Sequence, residues 1–211
     1  MERARYIAIE GPIGAGKTTL ANLLVERFGG RLVAEPVDEN PFLAGFYEDR
    51  RKYAFQTQLF FLLSRFQQQQ QLFQQDLFGQ VTVSDYLFAK DRIFAALNLD
   101  ANELALYEQV YALLGGRTVR PDLVIYLQAR HEVLLSRIRR RGRPAERTLE
   151  PAYLEQLSKA YNDFFFHYED TPLLVVNTSD VDLASSAREL EALVALVRKH
   201  RKGVQHYNPA R

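Results

Sequence analysis

The stretch Gly11-Pro12-Ile13-Gly14-Ala15-Gly16-Lys17-Thr18 follows the apolar run Tyr6 to Glu10 and opens a helical pattern over Thr18 to Phe28. A strand that turns through bracketing glycines into a helix leaves the backbone N–H groups of the turn pointing inward. Those donors and the positive end of the helix form a concave anion site. In it Lys17 reaches β- and γ-phosphates and the Thr18 hydroxyl is a ligand for Mg²⁺. Average residue usage puts a chance match in a chain of this length at about 1%. The stretch therefore reads as a phosphate-binding loop.

Working outward, short apolar segments at Arg5 to Glu10, Arg31 to Ala34, Val81 to Ser84, Asp122 to Leu127 and Leu173 to Asn177 read as buried strands. Between them lie helical patterns, among them Arg51 to Phe78, Phe88 to Asn98, Glu103 to Leu114, Glu132 to Arg141, Ala152 to Tyr168 and Ala184 to Arg201. Strands alternating with helices predict an α/β fold: a five-stranded parallel sheet with helices on both faces. The glutamine-rich stretch Gln67 to Gln71, with Gln74 and Gln75, lies inside a helical pattern and reads as a solvated face.

The 211 residues carry 27 Lys and Arg against 26 Asp and Glu, so no global field attracts nucleic acid or an anionic membrane. Any anion site is local. With no cysteine, disulfides, thiolate nucleophiles and Cys-based metal sites are excluded. No apolar run approaches the ~20 residues of a membrane span, and no signal segment precedes the first strand. The expectation is a cytoplasmic, single-domain protein over residues 1–211.

Leu32-Val33-Ala34 ends in Glu35, and ligands bind at the carboxyl ends of parallel strands. Glu35 thus reads as a general base for an attacking hydroxyl, with a plain surface charge as the alternative. Val81 to Asp85 is a second apolar strand ending in an acid, suited to an Mg²⁺ contact or to a second acid beside the hydroxyl.

Together with the loop, Glu35-Pro36-Val37, Asn40-Pro41-Phe42-Leu43, Phe55-Gln56-Thr57, Ser84-Asp85-Tyr86 and Arg141-Gly142-Arg143-Pro144 resemble the deoxyribonucleoside kinases, most of all the bacterial deoxyguanosine and deoxyadenosine kinase branch. The likeness runs from the first strand to about Tyr168. Many families share the loop alone, whereas the ordered set is specific. The resemblance implies that ATP phosphorylates the 5′-hydroxyl of a deoxynucleoside, a purine one, and that the Glu35 position takes the hydroxyl proton. It places ATP on the loop from Gly11 to Thr19 and on Arg137 and Arg141. It gives the sugar 3′-hydroxyl to Tyr47 and Glu146, and a base contact to Gln56 and to Asp91. Taken alone, Tyr47 reads equally as a packing residue, Gln56 as helix surface, Asp91 as a helical ion pair and Glu146 as surface charge.

The family usually has Arg after the acid at the third strand end; Tyr86 stands there instead. That departure leaves the division of labour between Glu35 and Asp85 open. Six arginines between Arg137 and Arg147, broken by Gly142 and Pro144, read as a mobile lid over about 137–148; the resemblance implies that in it Arg141 clamps the ATP phosphates and Arg143 approaches the reacting phosphoryl. Rival readings are a nucleoside monophosphate kinase of the thymidylate kinase type and a P-loop switch or nucleic-acid ATPase. The apolar residues Leu59 to Leu63 encircle their helix rather than forming one stripe, which predicts a homodimer through that helix.

Overall fold

A computed structural model of the chain describes residues 6–75 and 80–209. Arg5 and residues 76–78, at the ends of an expected strand and an expected helix, lie outside them. Strands β1 (Tyr6–Glu10), β2 (Arg31–Val33), β3 (Thr82–Ser84), β4 (Leu123–Gln128), β5 (Leu173–Asn177) and β6 (Val204–Tyr207) form one sheet in the order β2-β3-β1-β4-β5-β6. Every pairing is parallel, with Ala8 opposite Ser84 on one side and Val124 on the other. Of β1 the chain runs first to one side of the sheet and later to the other, so the crevice at the carboxyl end of β1 is a topological switch point.

Among the described residues the sheet has six strands rather than five. Val204–Tyr207 carries no apolar run because it is an edge strand whose residues alternate between exposed and half-buried. The Tyr207 hydroxyl fixes it by donating to Glu189 Oε2 at 2.6 Å.

The helices are α1 (Lys17–Phe28), α2 (Leu43–Glu48), α3 (Arg50–Gln75), α4 (Asp91–Asn98), α5 (Ala101–Gly115), α6 (His131–Arg141), α7 (Pro151–Phe166) and α8 (Ala187–Lys199). One core joins Ile7, Ile9, Ile125 and Val176 to Leu24 of α1, Leu134 of α6 and Leu193 of α8. On the opposite face Ala8, Val124 and Tyr126 pack against Ile93 of α4 and Leu157, Tyr161 and Phe165 of α7. This is the expected layering, with an apolar strand face meeting an amphipathic helix on each side.

The glutamine-rich stretch of α3 is not simply a solvated face. Gln69 is fully buried: its Nε2 donates to the Tyr6 hydroxyl at 3.2 Å and its Oε1 accepts Val119 N–H at 3.1 Å. Gln68 and Gln70 donate to the carbonyls of Ala34 and Arg117. A long amide on a helix can satisfy loop backbone that lacks a ladder partner, and here it ties α3 to the strand ends.

Candidate active site

Gly11 and Gly16 show why the loop needs glycine. A Cβ on Gly11, at φ 155°, would lie 2.5 Å from the Leu127 carbonyl oxygen of β4. At Gly16, φ is 97° with open space beside it, so backbone conformation alone excludes a side chain there. Lys17 folds over the loop, its Nζ donating to the Gly11 carbonyl at 2.6 Å. Burial lowers the Lys17 ammonium to about 8, with repulsion from Lys90 adding to the fall. The loop is also braced from beneath by the fully buried Glu10. Its carboxylate accepts Gly11 N–H at 2.9 Å, Leu87 N–H at 2.7 Å and the Tyr161 hydroxyl at 3.0 Å.

At the strand ends, Asp85 faces the loop. Its Oδ2 accepts the Thr18 hydroxyl at 2.5 Å and its Oδ1 accepts Glu35 N–H at 2.7 Å. Glu35 Oε1 accepts Arg65 Nε at 2.9 Å and also Arg65 Nη2, while Oε2 accepts Lys90 Nζ at 2.8 Å. Arg65 reaches from α3, and its Nη1 donates to Asp91 at the start of α4. Burial alone raises a carboxyl, but Lys90 and Arg65 outweigh it and hold Glu35 far below the usual carboxylate range. Burial raises Asp91 to about 6 against the opposing charge of Arg65. Asp91 is fully buried on Arg65 rather than in a surface pair, and the neighbouring Arg92 reaches Glu108.

Beside this cluster lies a cavity of about 310 Å³. Lys17, Thr18, Glu35 and Asp85 line one end; Phe46, Tyr47, Thr57, Gln58 and Phe61 line the other; Arg141, Arg143 and Glu146 border it from the lid. Among the described residues, Thr57 Oγ1, Gln58 Nε2 and Glu146 Oε2 are buried polar atoms with no hydrogen-bond partner. All three belong to side chains on this wall, and an unmet buried donor or acceptor costs about 1–3 kcal/mol. Gln56 is exposed and off the wall. Two residues along a helix is a turn of about 200°, so Gln56 and Gln58 face opposite ways.

A second cavity of about 270 Å³ lies across the loop, lined by Gly14, Ala15, Gly16 and Thr19, by Arg137, Arg140 and Arg141, and by Thr178, Asp182 and Leu183 after β5. Pro12 and Ile13 are not on it; Ile13 borders the first cavity. Arg137 is already engaged: Nη1 donates to Thr178 Oγ1 at 2.9 Å and Nη2 to the Thr178 carbonyl at 2.7 Å, which ties α6 to the β5 exit. In the lid, α6 ends at Gly142, φ 67°, and Arg141 Nη2 donates to Glu146 Oε1 at 2.6 Å. Arg143 stands 3.8 Å from Asp38. Lysine, arginine pair and acid thus border the first cavity, and Arg141 lines both, an arrangement suited to moving an anionic group from one bound molecule to another.

The family model for deoxynucleoside kinase matches residues 7–202. The chain belongs to this family. Deoxyguanosine kinase of Bacillus subtilis is 41% identical over 184 residues, which is 86% of this chain and 89% of that protein. Deoxyadenosine kinase of Dictyostelium discoideum is 38% identical over 194 residues, 89% of this chain and 78% of that protein. Among solved structures, deoxyadenosine kinase from M. mycoides with bound dCTP superposes with a TM-score of 0.78 at 29% identity, covering 90% of this chain and 98% of that one. The chain is therefore a nucleoside kinase, a transferase, and the monophosphate kinase reading is not favoured.

For a deoxynucleoside kinase, the sequence reading passed over Arg65, Lys90, Gln58 and Glu10. Arg65 had a signal. Phe61, Leu62, Arg65 and Gln69 follow the spacing of one buried stripe, and a charge on such a stripe requires a buried counter-charge. Gln58 lies one turn before Leu62 on the same face. Lys90 fell inside the helical pattern over Phe88 to Asn98, and nothing in that pattern set apart the short 3-10 turn over Phe88–Lys90 that turns it to the site.

Proposed function

We propose that this kinase transfers the γ-phosphoryl of Mg·ATP to the 5′-hydroxyl of a purine deoxynucleoside, with Glu35 as base. The observation that carries this reading is the Glu35 carboxylate, held, on the cavity that Lys17 and Arg141 also line, by Asp85 on its backbone and by Arg65 and Lys90 on its side chain. ATP occupies the cavity along Gly14 to Thr19, and the nucleoside fills the cavity lined by Tyr47 and Gln58. Gln58, in place of Gln56, offers its amide to the base edge, since two donors and an acceptor in one plane suit a purine. Tyr47 and Glu146 take the sugar 3′-hydroxyl. Asp91 acts on the base side by holding Arg65.

The ionised Glu35 accepts the hydroxyl proton as the new P–O bond makes that oxygen acidic. Lys17, Arg141 and Arg143 neutralise the equatorial oxygens, so that position and charge supply most of the rate. The Thr18 hydroxyl and the Asp85 carboxylate are adjacent hard-oxygen donors that fit Mg²⁺. When bound, the ion would supply charge to the β- and γ-phosphates.

The cysteine-free sequence suits the cytoplasm, and among the described residues no helix is long and apolar enough to cross a membrane. Neither a nucleic acid nor a membrane is a partner in this reading. A homodimer is, because Leu63 is 48% exposed on α3, and Leu106 and Leu113 are 50% and 77% exposed at heptad spacing on α5, which packs against α3. A coupled ADP-release assay over the four deoxynucleosides and their monophosphates tests the substrate. Deoxyguanosine or deoxyadenosine gives the highest kcat/KM; a higher value for thymidine than for both overturns the purine assignment.

A further inference from the structure

Each oxygen of a carboxylate accepts about two hydrogen bonds, and the two oxygens of Glu35 are not equally occupied. Oε1 takes both Nε and Nη2 of Arg65. Among the described residues Oε2 takes Lys90 Nζ alone, at 2.8 Å. The oxygen with capacity for a hydroxyl proton is therefore Oε2, and the group beside it is the Lys90 ammonium.

Lys90 is 3% exposed, and its side chain borders the cavity that Lys17, Thr18 and Glu35 also border. The Phe94 ring lies 5.8 Å from its Nζ. The charges around it are Glu35 after β2, Arg65 from α3, Asp85 at the end of β3, Asp91 at the start of α4 and Lys17 at the start of α1. Arg65 divides its guanidinium between Glu35 and Asp91, whereas the only hydrogen bond of the Lys90 ammonium among the described residues is to Glu35.

We infer that Lys90 is a positioning residue for phosphoryl transfer: it fixes Glu35 so that Oε2 is the oxygen that receives the 5′-hydroxyl proton. This rests on Glu35 being the base. In the step, the 5′-oxygen forms its bond to the γ-phosphorus and the bond from that phosphorus to the β,γ-bridging oxygen breaks. The electron pair leaves on ADP, and the hydroxyl proton passes to Glu35 Oε2. The Lys90 charge then stands next to a neutral carboxyl, free to face the transferred phosphoryl. Lys90 also accounts for how the site works with Tyr86 after Asp85: the second cation on the base comes from the 3-10 turn four residues later.

The test is steady-state kinetics on Lys90→Met, Lys90→Arg, Glu35→Gln and the Glu35→Gln/Lys90→Met double variant, each checked by circular dichroism. Lys90→Gln is run beside Lys90→Met so that a folding defect in one leaves the other to read. Lys90→Met should lower kcat by about 10²-fold while KM for either substrate stays within about threefold. Lys90→Arg should recover at least about tenfold of that loss. In the Glu35→Gln background the same change should cost less than about threefold, because the carboxylate it positions as a base is gone. A folded neutral variant with kcat within threefold of the parent overturns the inference, and so does an undiminished loss in the Glu35→Gln background. Glu35→Gln alone at the parent rate overturns the base assignment beneath it, which separates the two failures.

Discussion

Asp85 holds Glu35 by its backbone, not by its side chain: Asp85 Oδ1 accepts Glu35 N–H at 2.7 Å, and Oδ2 accepts the Thr18 hydroxyl at 2.5 Å. With both oxygens engaged, Asp85 links the end of β2 to the loop, and Glu35 is left to present its carboxylate to the cavity.

Glu35→Gln keeps the shape and loses the basicity, so kcat should fall by roughly 10² to 10⁴ with deoxynucleoside binding changed much less. Asp85→Asn should mainly raise KM for Mg·ATP, by about tenfold, because its amide N–H faces the Thr18 hydroxyl. Initial-rate kinetics with both substrates varied decide it. The large kcat loss in Asp85→Asn with a mild Glu35→Gln would reverse the two roles.

The pH dependence of nucleotide binding follows from Lys17. Burial and Lys90 lower its ammonium to about 8 in the nucleotide-free enzyme. Phosphates bind the charged form, so binding is full below that value and weakens as pH rises through it. KM for ATP should climb roughly tenfold for each pH unit above about 8, the slope of a single proton. kcat should stay level, since bound phosphate keeps Lys17 protonated. A KM that is flat to pH 9.5 would show that Lys17 binds phosphate without titrating. Lys17→Ala should abolish turnover and leave the circular dichroism spectrum unchanged.

Gln58 and Gln56 make an internal control on one helix. Gln58→Ala should raise KM for the deoxynucleoside by about 5- to 150-fold, the equivalent of ~1–3 kcal/mol for a lost pair of buried bonds. Gln56→Ala, on the exposed face, should change it less than twofold. The reverse ranking would place the base on the other side of α3.

Light scattering at micromolar concentration should give about twice 24.3 kDa. Leu106→Glu with Leu113→Glu, on the exposed face of α5, should shift that mass to the monomer. A parent protein that already scatters as a monomer would mean that these leucines stay in water.

The opening loop, the strand and helix alternation and the acid after β2 were legible because each is local: glycine spacing, apolar period and a strand end are written in consecutive residues. The family followed from the order of those pieces. The tertiary structure alone decided the partners of Glu35. Arg65, Lys90 and Asp85 come from three separate elements, and a sequence without the fold has no distance between them. That Gln58 and not Gln56 lines the cavity is a matter of helix phase, which a motif match does not carry. The sixth strand needed an edge to pair with, and Gln69 reads as solvent-facing until β1 and the Val119 loop are placed against it. Local propensity and pattern set the elements; long-range contacts, which cost chain entropy to close and repay it in buried charge pairs and hydrogen bonds, set the site.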